Sequence, residues 1–245
     1  MVKTLLLRGM AAGLAAGLTY FVFAYLFGEG AVDGAIAYEE HVGGAHDAAE
    51  APLVSRGIQS TVGLGVAAVL YGVVIGGLVA LAYSAVVGRV GRLGPRATAA
   101  VIAAVGFVAV AAVPFLKYPA NPPASTLGAS VGQRTGPYVA LIIISVALAI
   151  GAVMLQRSLT ARLGTWNATL TAIGAYLATA GIVGLLLPTV DETPADFPAT
   201  VLYDFRLASI GGQVVLWAVL GLVFGALVDD RAERSARQTG VSRSS

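Results

Sequence analysis

The 245-residue sequence has no cysteine, which excludes disulfides, thiolate metal sites and thiol redox centres. Charge is almost as scarce. Asp, Glu, Lys and Arg make up 11% of the chain, against about 25% in an ordinary soluble domain. Methionine is limited to Met1, Met10 and Met154, so there is no thioether stack for Cu(I). No G-x-x-x-x-G-K-[ST] is present, which excludes nucleotide binding through a P-loop. No Ser, His and Asp set is arranged as a triad, and the chain reads as a non-enzyme. The formal net charge is only +2, and the basic residues lie in short loops rather than on one face. Nucleic acid is therefore not an expected partner.

What is abundant is apolar. The chain is 57% hydrophobic, with a mean hydropathy of +0.83. A helix needs about 20 mostly apolar residues to cross roughly 30 Å of hydrocarbon. Six stretches qualify: 10–27, 61–87, 97–115, 138–155, 168–187 and 208–228. None has a charged residue in its interior. Short alternating strand patterns are absent, which argues against a barrel. The expected fold is an all-α polytopic membrane protein with about six transmembrane helices and the lipid bilayer as its surroundings. Residues 1–228 form a single transmembrane domain, and 229–245 form a basic, disordered cytoplasmic tail. The first span also fits a signal peptide, because Lys3 and Arg8 make a basic start to it. Its length and the lack of a clean A-x-A site following Phe27 favour retention; cleavage would leave five spans. An oligomer is compatible with these features.

Loop charge sets the orientation. With the N-terminus in the cytoplasm, Lys3, Arg8, Arg89, Arg92, Arg96, Arg157, Arg162, Arg231, Arg234, Arg237 and Arg243 fall inside. Only Arg56, Lys117, Arg134 and Arg206 fall outside. This is a positive-inside distribution for a multi-pass protein of the plasma (inner) membrane, with both termini cytoplasmic. Most acids lie on the opposite side: Glu29, Asp33, Glu39, Glu40, Asp47, Glu50, Asp191, Glu192, Asp196 and Asp204. Acids contribute little to topology, so this second asymmetry suggests a surface that concentrates cations.

Within the spans, Gly13-xxx-Gly17, Gly72-xxx-Gly76 and Gly221-xxx-Gly225 each put two glycines on one helix face, as helix-packing sites do. Trp217 reads as a packing residue and Trp166 as an interfacial one. Asn167 sits where a helix N-cap would serve the fifth span.

Candidate chemistry lies outside the spans. The segment AYEEHVGGAHDAAE holds both histidines, His41 and His46, with Glu39, Glu40, Asp47 and Glu50. Five-residue spacing would put the histidines about 140° apart on a helix. Gly43 and Gly44 argue for a turn, which can bring both imidazoles and a carboxylate onto one ion. Imidazole with carboxylate suits Co(II), Ni(II) or Zn(II). The alternative is a solvated acidic loop with two incidental histidines. Three further segments carry polar groups at span ends, as an outer mouth or pathway. FLKYPANPPA holds Lys117, Tyr118 and Asn121 among prolines that enforce an extended exit. LPTVDETPADFP holds Asp191, Glu192 and Asp196, and FRLAS holds Arg206. Pairing of Lys117 and Arg206 with Asp191 or Glu192 is one reading, and interfacial anchoring is the other.

The stretches TLLLRGMAAGLAAG, GEGAVDGAIAYEEH, LVSRGIQST, VPFLKYPANPPA, TWNATL and LPTVDETPADFPATVLYDFRLAS resemble the predicted cobalt transporter subunit family CbtA. The resemblance covers nearly the whole chain. It implies divalent-cation transport, with Co2+ (or Ni2+) as substrate, linked to cobalamin synthesis. It implies no permanently bound cofactor, and a small single-span partner, CbtB-like, with a histidine-containing end. The family's first outer loop often holds a longer histidine run, reduced here to His41 and His46. The competing function is a non-transporting scaffold or assembly subunit of a larger membrane complex.

The Lys/Arg distribution makes a direct prediction. Reporter fusions after Arg96 and Arg162 score cytoplasmic, and fusions near Asp47, Gly128 and Asp196 score external. A cytoplasmic score at Asp47 would invert this topology.

Overall fold

The computed structural model describes residues 2–42, 54–89, 93–123, 125, 130–190 and 193–241. Among these residues there is no strand. The helices are α1 (Val2–Phe27), α2 (Glu29–Val42), α3 (Arg56–Val86), α4 (Pro95–Lys117), α5 (130–163), α6 (165–186) and α7 (Ala199–Val241).

Helices α5 and α6 form one continuous run of helical backbone broken at Gly164, which has φ 74° and ψ 164°. That conformation is open to glycine and strongly disfavoured for other residues. Ser145 and Tyr176 show what the break does. On a straight helix they would stand about 46 Å apart at 1.5 Å per residue. Their hydroxyls instead lie 2.8 Å apart, both in the interior of the helix pair. The chain therefore folds back at Gly164, and α5 and α6 run antiparallel. Among the described residues five helices are long and apolar enough to cross a membrane, and this one, Arg134–Leu186, contains two of the six expected spans.

Two local expectations change. The segment from Glu29 to Val42 is helical, so Glu39, Glu40 and His41 lie on α2 rather than in a loop. Asn167 is not a cap: α6 has already begun, and Asn167 O accepts from Thr171 Oγ1 at 2.8 Å. Gly164 occupies the turn that Asn167 was expected to start. The described backbone of α7 is helical to Val241.

The contacts cluster into two compact units. Unit 1 comprises Met1–Gly30, Ala45–Gly106 and Gly211–Ser245. Its tightest contact is α1 against α3. Gly9, Gly13 and Gly17 face Gly76, Gly72 and Ala68 in descending order, so the helices are antiparallel. A Cβ on Gly17 would lie 2.6 Å from Ala68 O, and one on Gly72 would lie 2.8 Å from the Gly17 Cα. At Gly13 a methyl would overlap Gly72 O outright. Only hydrogen fits at this approach, which is how small residues join helices in lipid. Helix α7 then packs by the same rule. Gly221 meets Ala103, Trp217 covers Gly106, and Tyr20 and Phe23 lie over Gly212 and Gly211. Tyr83 and Phe224 meet edge to face at 5.2 Å. At one end Arg8 donates to Leu227 O at 2.6 Å and Arg96 pairs with Asp229 at 2.7 Å. At the other, Arg56 pairs with Glu29.

Unit 2 comprises Ala31–Gly44 and Phe107–Ile210. Leu141, Ala168, Ala172, Tyr176 and Ala180 are buried in the α5–α6 pair. Helix α2 buries Ala31 and Ala35, sets Gly34 against Val201, and stacks Tyr38 edge-on to Phe197 at 4.9 Å. Residues Phe107–Ala112 of α4 form a wider π-turn. Pro114 follows it and has no N–H to give Val110 O, which accounts for the loosened ladder. Pro119 ends α4 by moving Tyr118 out of the helical region, to φ −127° and ψ 73°.

In both units many of the buried residues are small and many large aliphatic ones face out, although Leu141, Leu216 and Leu220 are buried too. Ala12, Ala16, Ala68, Ala99 and Ala168 are buried, whereas Leu18, Leu70, Val74, Ile143, Leu177 and Leu222 are exposed. That reverses the order of a water-soluble core and matches helices surrounded by lipid.

The glycine contact makes a prediction. Gly13→Leu and Gly72→Leu each insert a side chain against backbone that cannot move aside. Each should lower stability by about 1–3 kcal/mol or more, read as a lower thermal midpoint in detergent and reduced membrane abundance. Gly174→Leu, where a Cβ meets nothing within 4 Å, should be tolerated. Equal behaviour of the three variants would show that the close approach of α1 and α3 does not hold unit 1 together.

Candidate functional site

Four chain segments bring polar side chains to one end of unit 2. Helix α4 ends at Lys117, and its proline-rich exit carries Tyr118, Pro119 and Asn121. Helix α5 begins near Arg134, α6 gives way to Thr189 and Thr193, and α7 supplies Arg206. Because α5 and α6 are antiparallel, these segments reach the same side. They enclose a cavity of about 60 Å³, lined by Lys117, Tyr118, Pro119, Asn121, Arg134, Val190, Thr193 and Arg206.

The wall is fixed by hydrogen bonds. The Tyr118 hydroxyl donates to Pro188 O at 2.7 Å, and Tyr118 itself is buried. Burial raises its phenol above the ordinary tyrosine range, so it remains a neutral donor. Lys117 Nζ donates to Thr189 Oγ1 at 3.0 Å and lies 5.9 Å from the Tyr118 ring centroid. Arg134 Nη2 donates to Pro119 O. Arg206 Nη2 donates to Asn121 Oδ1 at 2.8 Å, whereas Arg206 Nε is buried without an acceptor. Three cations line the cavity, and among the described lining residues there is no carboxylate. Such a lining attracts negative charge and repels a bare divalent cation.

Of the residues singled out in the sequence, Lys117, Tyr118, Asn121 and Arg206 meet in this cavity. Asp191 and Glu192 lie outside the described residues, between Val190 and Thr193. Asp196 is elsewhere, with its carboxylate near the Tyr38 hydroxyl of α2. Partial burial, then that carboxylate, hold the Tyr38 phenol above its usual range. Arg134 was not singled out. The signal available was that it is one of only four Lys or Arg residues on the acidic side. Thr189 and Thr193 carried no signal, because a threonine beside proline reads as an ordinary turn residue.

The histidine segment is only partly described. Glu39, Glu40 and His41 are exposed near the end of α2, and His41 Nδ1 donates to Ala37 O at 2.7 Å. His46, Asp47 and Glu50 lie outside the described residues. Among the described residues, no three His, Asp or Glu side chains come together to hold a metal ion.

No curated protein and no solved structure matches the chain. A family model does match it, over residues 2–229, and its description is "Probable cobalt transporter subunit (CbtA)". The match runs from the first turn of α1 to the end of the apolar part of α7, and the chain belongs to the CbtA family.

Proposed function

We propose that this chain is the membrane-spanning subunit of a divalent-cation uptake system in the plasma membrane. Its substrate is Co2+ (or Ni2+), and the uptake serves cobalamin synthesis. The observation that carries the reading is the family match across residues 2–229, whose description names both cobalt transport and a subunit. A subunit works with a partner, and the partner we propose is a small single-span protein with a histidine-containing end.

Helix α2 supports a metal-capturing role. The hydrogen bond from His41 Nδ1 to Ala37 O leaves Nε2 directed away from the helix. Metal-binding histidines are commonly held this way, with the second ring nitrogen on a carbonyl. Glu39 and Glu40 precede His41, but successive helical residues diverge by about 100°. The three side chains fan out and supply only part of a coordination sphere. His46, Asp47, Glu50 or the partner's imidazoles complete it. The lining around Lys117, Arg134 and Arg206 is cationic and does not coordinate the ion.

The competing reading is a scaffold subunit without a transport role, favoured by the absence of charged side chains inside the six spans. Deletion of the gene in a cobalamin-making host separates the two. Under limiting cobalt the deletion strain should accumulate several-fold less radiolabelled cobalt and should grow normally when cobalamin is supplied. Normal accumulation would leave the scaffold reading. In the restored strain, the His41→Ala, His46→Ala double variant should raise the cobalt needed for half-maximal uptake by about tenfold, comparable to disturbing a metal ligand's surroundings. Excess cobalt should rescue it, with protein abundance unchanged. Unaltered uptake at limiting cobalt would make the segment an ordinary solvated surface.

A further inference from the structure

We propose that the cavity at the end of unit 2 is a binding site for a phosphate-type oxyanion, held by Arg206 and Lys117. The site is separate from cation transport, which by itself requires no anion.

Arg206 gives the clearest sign. Asn121 Oδ1 holds Nη2 at 2.8 Å and so orients the plane of the guanidinium, while Nε is buried without an acceptor. A buried charged donor in that state is disfavoured unless an acceptor arrives. Lys117 adds a second charge to the lining. Thr189 takes one of the three donors on its Nζ. Arg134, tied to Pro119 O, adds a third charge beside them. Tyr118 is committed to Pro188 O, so the wall is preorganised rather than collapsed onto the cations.

Size and donor type narrow the ligand. A cavity of about 60 Å³ is far below the roughly 300–1,000 Å³ of pockets for larger organic ligands. It suits a small tetrahedral group. Guanidinium donors match paired oxygens in geometry as well as charge, which favours an oxyanion over a halide. Such a group is available from two sources, inorganic phosphate or the phosphodiester of a lipid headgroup. The cavity lies at helix ends, where headgroups meet the protein. A bound anion would also cancel much of the positive field that repels a cation approaching this end.

The test uses the full chain in a maltoside detergent, which carries no phosphate. Thermal unfolding is followed by tryptophan fluorescence while inorganic phosphate is titrated against chloride at matched ionic strength. Phosphate should raise the unfolding midpoint saturably, and chloride should not. Arg206→Lys keeps the charge but removes the Nε donor, and should weaken phosphate binding by about tenfold or more. Lys117→Gln, at the exposed wall, should do likewise and serves if Arg206→Lys folds poorly. Short-chain phosphatidylglycerol that displaces phosphate at lower concentration identifies the headgroup source; failure to displace identifies free phosphate. No saturable phosphate effect in the wild type overturns the proposal. So does binding that is unchanged in both variants. If phosphate binds only after Asp191→Asn and Glu192→Gln, the chain's own carboxylates fill the cavity, and the proposal is equally overturned.

Discussion

Hydrocarbon removes the force that normally joins helices, because an aliphatic side chain is as well solvated by lipid as by another side chain. What remains is the closeness with which backbones can approach, and in unit 1 that is set by hydrogen atoms at Gly9, Gly13, Gly17, Gly72 and Gly76. The contact between α1 and α3 admits no Cβ at its centre. Dispersion between the two backbones therefore acts at the shortest range the chain permits. The same device recurs where Trp217 closes over Gly106 and where Tyr20 covers Gly212. Many large aliphatic side chains are left to face outward. The first helix is thus as much a part of the packing of unit 1 as any later one.

Polar groups follow a complementary rule. Inside the spans the few that exist are satisfied locally. Ser145 and Tyr176 bond to each other, and Thr179 returns its hydroxyl to Ala175 O. Trp217 and Tyr71 both donate to Gln213 Oε1. Charged groups gather at helix ends, where water and headgroups offset the cost of burial. Arg96 with Asp229 and Arg56 with Glu29 are simple pairs of this kind in unit 1. At the end of unit 2, Lys117, Arg134 and Arg206 line one cavity. Glu39, Glu40 and His41 on α2, and the cavity at Lys117 and Arg206, are distinct chemical surfaces within one unit.

Span count, the all-helical fold and the membrane setting were legible in the sequence, because each depends on local composition. Twenty apolar residues without a charge can do little but cross a bilayer as a helix. The glycine spacings also identified faces that pack closely, and the prolines after Lys117 correctly marked the end of α4. Two local readings failed for a common reason. Residues 29–42 looked like a loop because their acids broke the apolar pattern, yet buried Ala31 and Ala35 give the segment a packing face and make it a helix. Asn167 looked like a cap, but the positive φ of Gly164 had already provided the turn.

The sequence by itself determined how many times the chain crosses, which residue types could face lipid, and that chemistry must lie at the ends of the spans. It did so because hydrocarbon penalises exposed backbone and charge at every position independently of what neighbours are present. Only the tertiary structure decided which glycines meet, that Asp196 lies near Tyr38, and that Arg134 joins Lys117 and Arg206 around one cavity. Those outcomes depend on contacts between residues far apart in sequence, 85 positions in the case of Asn121 and Arg206. No periodicity within a helix encodes which neighbour its end will meet.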